Sequence, residues 1–137
     1  MSAAARNTTE GHTFSGKPKT VTIERMRGFS GWPVKNIHTD VEYAKACGLS
    51  GPIASGTMFQ TYLVGLMIGY FGADWLGNGG IQVAFVRAVE PGDVITPMGT
   101  VEKQEPTDAG NRVELRVWCE NQRGEPVVVG TAFGLAR

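Results

Sequence analysis

An apolar stretch near the middle of the chain constrains the fold more than any other feature. Residues 54–71 carry large apolar side chains at helical spacing on nearly every face of the predicted helix. A helix of this kind is buried on most of its sides. The stretch is too short for a membrane span and is interrupted by Gln60, Thr61 and Gly65. We therefore expect a helix packed in the centre of a globular fold.

The chain after this helix has the alternating pattern of β-strands, separated by turn-forming residues. The predicted strands are 81–89, 94–104, 112–119 and 127–135. Pro97 is expected to mark a bulge or an edge, because proline cannot donate to a ladder. An antiparallel sheet wrapped around one long helix predicts a single α+β domain. The open edge and the second sheet face need cover, so we expect a dimer.

The first part of the chain is predicted to be less regular. Residues 1–16 are polar and lack an apolar run, so we expect a flexible N-terminal tail and no signal peptide. The folded domain is then predicted to occupy residues 17–137. Within it, residues 20–23 alternate like a strand end, and residues 23–29 are predicted to form a helical turn.

Composition limits the class of function. Lys and Arg together number 13, as do Asp and Glu, so the net charge is zero and predicts neither nucleic-acid nor membrane partners. Cys47 and Cys119 have no metal-ligand spacing, so we expect no metal and two buried, reduced thiols. These features together predict a cytoplasmic protein.

His38 is the first candidate for chemistry. It is one of two histidines and precedes a short predicted helix, and its side chain suits proton transfer near neutral pH. The alternative is a histidine that only satisfies a loop carbonyl. Residues 39–42, Thr-Asp-Val-Glu, fit a capping box with Thr39 as the cap. Asp40 is either an acid that assists His38 or a helix cap, and we favour the cap.

Gly56 is the second candidate. It lies in a small-residue turn, residues 51–58, that enters the long helix, where backbone N–H groups are free and the helix dipole is positive. Gly56 is therefore a candidate oxyanion donor, and glycine also permits a tight turn. Ser55 and Thr57 are candidate hydroxyl donors or caps.

Two further residues are candidates for substrate binding. Asn36 could orient water or substrate, although asparagine in loops usually bonds its own backbone. Trp32 could line a pocket, although an aromatic residue beside a turn is more often packing.

The motif residues resemble those of the MaoC-type hot-dog-fold family, which includes (R)-specific enoyl-CoA hydratases. The family signature is similar to Asp-x-Asn-Pro-Ile-His-x-Asp, followed after a short helix by Ile-x-x-Gly-Met. This chain has Asn-Ile-His-Thr-Asp at 36–40 and Ile-Ala-Ser-Gly-Thr-Met at 53–58, and residues 85–89 and 91–93 also match. The resemblance extends from about Ile23 to the C-terminus and implies a single hot-dog fold.

The resemblance also implies an activity. In the family, an Asp and a His flank a water that adds across a trans-2-enoyl-CoA double bond, and a glycine N–H binds the thioester oxygen. His38 matches the catalytic His, and Gly56 matches the oxyanion glycine. The family Asp falls on Pro33, which has no titratable group. The implied substrate is an acyl-CoA thioester, with coenzyme A as part of the substrate and no other cofactor.

Three hypotheses about the function follow from this incomplete site. The first, which we favour, is an acyl-CoA hydratase or dehydratase that works without the family Asp. The second is a hot-dog thioesterase, although no acid occurs in residues 51–67 to activate water. The third is a non-catalytic subunit that binds acyl-CoA or pairs with a complete relative. The expected assembly is a homodimer or higher homo-oligomer, with a heteromer of two hot-dog subunits as the alternative.

Overall fold

A computed structural model describes residues 7–137 of the chain. It contains four helices and six strands in this part. The helices are α1 (Ile23–Ser30), α2 (Val41–Ala46), α3 (Gly56–Phe71) and α4 (Trp75–Asn78). The strands are β1 (Thr13–Ser15), β2 (Lys19–Thr20), β3 (Gly80–Phe85), β4 (Val94–Thr107), β5 (Gly110–Glu120) and β6 (Pro126–Ala136).

The strands form one antiparallel sheet with the order β1-β4-β5-β6-β3, and β2 pairs with β4 beside this path. The long strands β4, β5 and β6 are joined by short turns, and alternate side chains of β5 are buried, such as Val113, Leu115, Val117 and Cys119. This period of two places one face of the sheet against the core. The predicted antiparallel sheet around a long helix is confirmed.

Helix α3 packs across this face and supplies the centre of the core. Its buried side chains are Met58, Phe59, Tyr62, Leu63, Met67 and Phe71. One side of α3 is nevertheless exposed to solvent, along a stripe of Thr61, Gly65 and Gly69. Within residues 7–137, no helix combines the length and apolar character needed to cross a membrane.

The N-terminal segment differs from the predicted tail. Strand β1 pairs with β4, the Gly11 N–H donates to the Val101 carbonyl at 2.8 Å, and Phe14 stacks on Tyr70 at 4.4 Å. Residues 13–15 therefore belong to the sheet, because a short polar segment can be held by backbone pairing and one aromatic anchor. The rest of the prediction, for residues 1–6, lies outside the described residues.

Pro97 does not mark a bulge, but it lies at a local edge of β4, in the gap between the residues that pair with β1 and those that pair with β2. Pro97 is buried within β4 and is paired with Cys119 of β5, and the register shift of this ladder lies between Val101 and Lys103. The Pro97 carbonyl accepts from the Gly16 N–H at 2.9 Å, directly after β1 ends. Proline is tolerated here because the strand on that side stops, so its missing N–H is not needed.

Replacing Gly130 by Ala is expected to break the pairing of β3 with β6. A Cβ atom at this position would overlap the Gln82 carbonyl oxygen and lie 2.9 Å from the Val83 Cα. Both atoms belong to the backbone, so neither can rotate away. We expect the free energy of unfolding to fall by about 1–3 kcal/mol or more, measured by chemical denaturation.

Gly65→Ala is the matched control for this substitution. Apart from its chain neighbours and the nearby backbone of its own helix, no described atom lies within 4 Å of the position that its Cβ would occupy, and the residue is inside α3. Alanine is favoured over glycine in a helix interior by roughly 0.5–1 kcal/mol, so this variant should be slightly more stable. Equal stability of Gly130→Ala and the wild type would show that β3 does not pack against β6 this closely.

Candidate active site

The loop that carries His38 is held by the side chain of Asn36. The Asn36 Oδ1 accepts the His38 backbone N–H at 2.8 Å, and its Nδ2 donates to the Ser30 carbonyl at 3.1 Å. An asparagine that bonds the backbone two residues on forms an Asx turn. Asn36 therefore positions the backbone of His38, as the alternative interpretation of this residue expected.

Thr39 fixes the same loop from inside the protein. It is fully buried, its hydroxyl donates to the Val34 carbonyl at 2.8 Å, and the hydroxyl accepts the Asn36 N–H at 2.9 Å. The predicted capping box with Thr39 as the cap was wrong. Its hydroxyl is used by the preceding loop, because Val34 and Asn36 would otherwise be left with unpaired backbone groups.

Asp40 caps helix α2. Its Oδ2 accepts the Tyr43 N–H at 2.9 Å, and its backbone is extended, as is usual for an N-cap residue. The carboxylate is thus engaged with the helix it starts, and Asp40 does not line the cavity described below. The structure therefore supports the favoured role of Asp40 as a helix cap, and it does not place Asp40 in the cavity as an acid.

The imidazole of His38 is held in one orientation by the segment before α3. Its Nδ1 lies 2.8 Å from the Ile53 carbonyl oxygen, and the Ile53 N–H donates to the Ile37 carbonyl at 3.1 Å. A carbonyl oxygen can only accept, so the proton of the neutral ring is on Nδ1. The other ring nitrogen, Nε2, then carries a lone pair and can take a proton. His38 can therefore bond the loop carbonyl through Nδ1 and still act as a base through Nε2, so the two interpretations of this residue are compatible.

The start of α3 has no side-chain cap. Gly56 is the first helical residue, and in the described structure Ser55 at the N-cap makes no side-chain hydrogen bond to the helix. The Ser55 Oγ instead lies 2.9 Å from the Thr57 Oγ1. The first N–H groups of a helix have no partner within it, and the helix dipole makes this end positive. These groups are suited to bind an oxygen that gains negative charge.

His38 and Gly56 line the same cavity, which has a volume of about 370 Å³. The other walls come from the segment before α3, from α3 itself, from β3 and the residues that follow it, and from β6. They are Ile53, Ala54, Phe59, Phe85, Val86, Arg87, Ala88, Val89, Val127 and Val128. Among the described residues lining the cavity, none is Asp or Glu. The cavity thus combines a base, open amide donors and apolar walls.

The Phe85 ring lies directly against Gly56. A Cβ atom added at Gly56 would be 2.7 Å from the Phe85 Cδ1 and 2.8 Å from its Cγ. Glycine is needed here because the ring occupies the space of a side chain. The Phe85 side chain is itself 50% exposed, so the cavity is covered on this side by a ring that faces solvent.

The remaining predicted site residues lie outside the cavity lining. The Trp32 ring is 42% exposed and stacks with the Arg27 guanidinium at 4.0 Å. Pro33, Ser55 and Thr57 do not line the cavity either. Trp32 is held away because its ring is already engaged by a cation on α1.

Sequence reasoning missed Arg87 and the aromatic walls Phe59 and Phe85. Residues 85–89 and 91–93 were noted as matching the family, but no local pattern marks one of them as part of a site. Arg87 reaches the cavity only because the segment after β3 passes beside the start of α3, where the Ala54 N–H donates to the Val89 carbonyl at 2.8 Å. A contact of this kind joins residues distant in sequence.

The thiols are not placed for chemistry in this cavity. Burial raises the pKa of Cys119 to about 12, and its Sγ faces the Phe59 carbonyl at 3.7 Å. The expectation of a buried thiol was wrong for Cys47, which is exposed because it ends the short surface helix α2, and it does not line the cavity. Among residues 7–137, no group of three His, Cys, Asp or Glu side chains could hold a metal ion.

A larger groove of about 640 Å³ lies elsewhere, along the exposed side of α3. Its lining includes Phe14, Lys17, Lys19, Tyr62 and Tyr70, but neither His38 nor Gly56. Volume alone therefore does not identify the site, and the smaller cavity carries the candidate chemical groups.

The fold and its comparisons define a single hot-dog domain, and residues 5–122 match the model of the MaoC like domain family. The chain belongs to this family. A solved structure of a monoamine oxidase regulatory protein from Archaeoglobus fulgius is 27% identical, with a TM-score of 0.76 over 94% of this chain and 90% of that chain.

Two more distant structures share the fold. The (R)-hydratase from A. caviae involved in PHA biosynthesis is 18% identical, with a TM-score of 0.73 over 94% of this chain and 97% of that chain. A chain of the ChsH1-ChsH2 complex from Mycobacterium tuberculosis is 15% identical, with a TM-score of 0.74 over 96% of this chain and 100% of that chain. A comparison with curated protein sequences found no match.

Proposed function

We propose that this protein adds water to, or removes it from, the 2,3 position of an acyl-CoA thioester. One observation carries the proposal: His38 and Gly56, the first residue of the uncapped helix α3, line one cavity with mostly apolar walls. Membership of the MaoC-like family supports the reaction class. Coenzyme A is proposed as part of the substrate, and the proposal includes no other cofactor.

The geometry supports a role for each group. The thioester oxygen would accept from the Gly56 N–H, which stabilises the negative charge that develops there when the enolate forms. His38 Nε2 would take a proton from water as the water oxygen bonds to C3 of the enoyl group. The enolate then takes a proton at C2, so His38 returns to its neutral form. In dehydration the same steps run in reverse.

Hydration in this site relies on one acid–base residue instead of two. No carboxylate among the described residues lines the cavity, so His38 would both accept the proton from water and supply the proton at C2. A single general acid–base group typically contributes a hundredfold or more to a rate. We therefore propose a slower enzyme than one with a complete pair.

The thioesterase alternative is less well supported. That reaction needs a group that activates water toward the carbonyl carbon, most often a carboxylate at the start of the helix. The first turn of α3 carries no acidic residue. The alternative of a non-catalytic subunit is supported by the absence of the family Asp at Pro33.

We also propose that a second hot-dog subunit covers the edge at β3. In the described part of the chain β3 pairs with β6 alone, and Phe85 and Val86 beside the cavity are 50% and 53% exposed. Unpaired edges and exposed apolar residues are usually covered in stable proteins. A homodimer or higher homo-oligomer is the simplest assembly, and a heteromer is the alternative.

Hydration of crotonyl-CoA tests the proposed function. The conjugated thioester absorbance is followed with the purified protein, and a thiol reagent reports any coenzyme A released in the same sample. We expect loss of absorbance without release of thiol. Thiol release at the rate of absorbance loss would instead identify a thioesterase, and the absence of both reactions would favour the non-catalytic subunit.

A further inference from the structure

Arg87 brings a permanent positive charge to the cavity. It is the only Lys or Arg among the described residues that line it, and its side chain is 50% exposed. Its recorded polar contact is an ion pair, Nη2 to the Glu125 Oε2 at 3.3 Å. A guanidinium has five N–H donors in a planar fork that fits a carboxylate or phosphate. Most of this capacity is therefore available to a ligand.

Glu125 only partly neutralises Arg87. The Glu125 Oε1 already accepts from Arg123 Nε at 2.7 Å and from Asn121 Nδ2 at 3.0 Å. These two hydrogen bonds hold the pKa of Glu125 below its usual value, and the bond from Asn121 has the larger effect. The single carboxylate is thus shared by two arginines, and Arg123 makes the shorter contact.

The rest of the cavity adds to this positive character. The amino end of α3 opens into it through Gly56, and no carboxylate among the described lining residues opposes it. Apolar walls surround the charge, and such walls strengthen the attraction for an anion. A neutral, short acyl chain alone would leave Arg87 without a partner on the substrate.

We propose that Arg87 is a specificity-determining residue that binds an oxyanion of the substrate. The inference rests on the proposed function, because it concerns the same acyl thioester. Two parts of such a substrate could supply the oxyanion: a carboxylate at the far end of the acyl group, or a phosphate of coenzyme A. Both would meet the Arg87 guanidinium with charge-assisted hydrogen bonds.

Binding of saturated thioesters tests this inference without any turnover. Dissociation constants of butyryl-CoA, succinyl-CoA, butyryl-pantetheine and succinyl-pantetheine are measured by calorimetry for the wild type and Arg87→Gln. If the anion is the acyl carboxylate, Arg87→Gln weakens both succinyl ligands by about tenfold and leaves the butyryl ligands unchanged. If it is a phosphate, the loss of about tenfold falls on both coenzyme A ligands instead.

Two further variants sharpen the test. Glu125→Gln removes the carboxylate that competes for Arg87, so the same anionic ligands should bind more tightly than to the wild type. Arg116→Gln is the matched control, because this arginine is exposed, pairs with Glu102 and does not line the cavity. It should leave all four dissociation constants unchanged.

Equal effects of Arg87→Gln on all four ligands would overturn the inference, and so would no effect on any of them. Absence of binding by the wild type would overturn it as well. Because none of these ligands has a 2,3 double bond, the result does not depend on hydration. If the protein hydrates crotonyl-CoA but the wild type and Arg87→Gln bind each of the four ligands equally well, the proposed function stands and the role of Arg87 is rejected.

Discussion

Replacing His38 by Gln is expected to lower the rate of enoyl-CoA hydration by about a hundredfold or more. Glutamine can still donate an amide N–H toward the Ile53 carbonyl, which lies 2.8 Å from the His38 Nδ1 in the wild type. It cannot take the proton of the attacking water. The loss should therefore fall on kcat, with a smaller change in KM, because the cavity walls stay in place.

Asp40→Asn is the matched control for His38→Gln. Asparagine is as good an N-cap as aspartate, so helix α2 should keep its start while the carboxylate is removed. We expect kcat to change by less than about threefold, because no general acid–base group is lost. A fall as large as that of His38→Gln would show that Asp40, and not His38 alone, carries proton transfer.

Replacing Gly56 by Ala is expected to lower kcat/KM by about a hundredfold. The new Cβ would lie 2.7 Å from the Phe85 ring, so either the ring or the first turn of α3 has to move. Movement of the helix start would take the Gly56 N–H away from the proposed position of the thioester oxygen. Loss of one donor of this kind costs about 10²–10³ in rate in other enzymes. Hydration kinetics of the purified variant measure this loss.

A second substitution separates the steric effect from a general defect. In Gly56→Ala combined with Phe85→Leu, the smaller side chain leaves room for the Cβ, and we expect part of the activity to return. Gly69→Ala, also on α3, places its Cβ where no described atom lies within 4 Å, and it should keep full activity. Full activity in Gly56→Ala would contradict the packing of Phe85 against the oxyanion site.

The parts of the fold that the sequence predicts are those set by local periodicity. Helix α3 and strands β4, β5 and β6 were predicted within a few residues, because their apolar side chains repeat at 3.6 or 2 residues. His38 and Gly56 were predicted as a pair from the motif and its spacing, and the structure places them on one cavity.

The parts that were missed depend on contacts between distant residues. Strand β1 forms because β4 offers an unpaired edge, which the polar composition of residues 1–16 does not reveal. The Thr39 hydroxyl bonds the Val34 carbonyl, and Asp40 caps the helix in its place, so the capping-box pattern failed. Arg87 lines the cavity because the segment after β3 passes beside the start of α3, and no local sequence pattern around Arg87 predicts this contact.

The central claim is that His38 directs water to the 2,3 position of an acyl thioester. Incubation of crotonyl-CoA in isotopically labelled water, followed by mass spectrometry of the products, tests it most directly. We predict labelled oxygen on C3 of 3-hydroxybutyryl-CoA with the wild type, and almost none with His38→Gln. Label in a free carboxylic acid, or equal incorporation by both proteins, would contradict the claim.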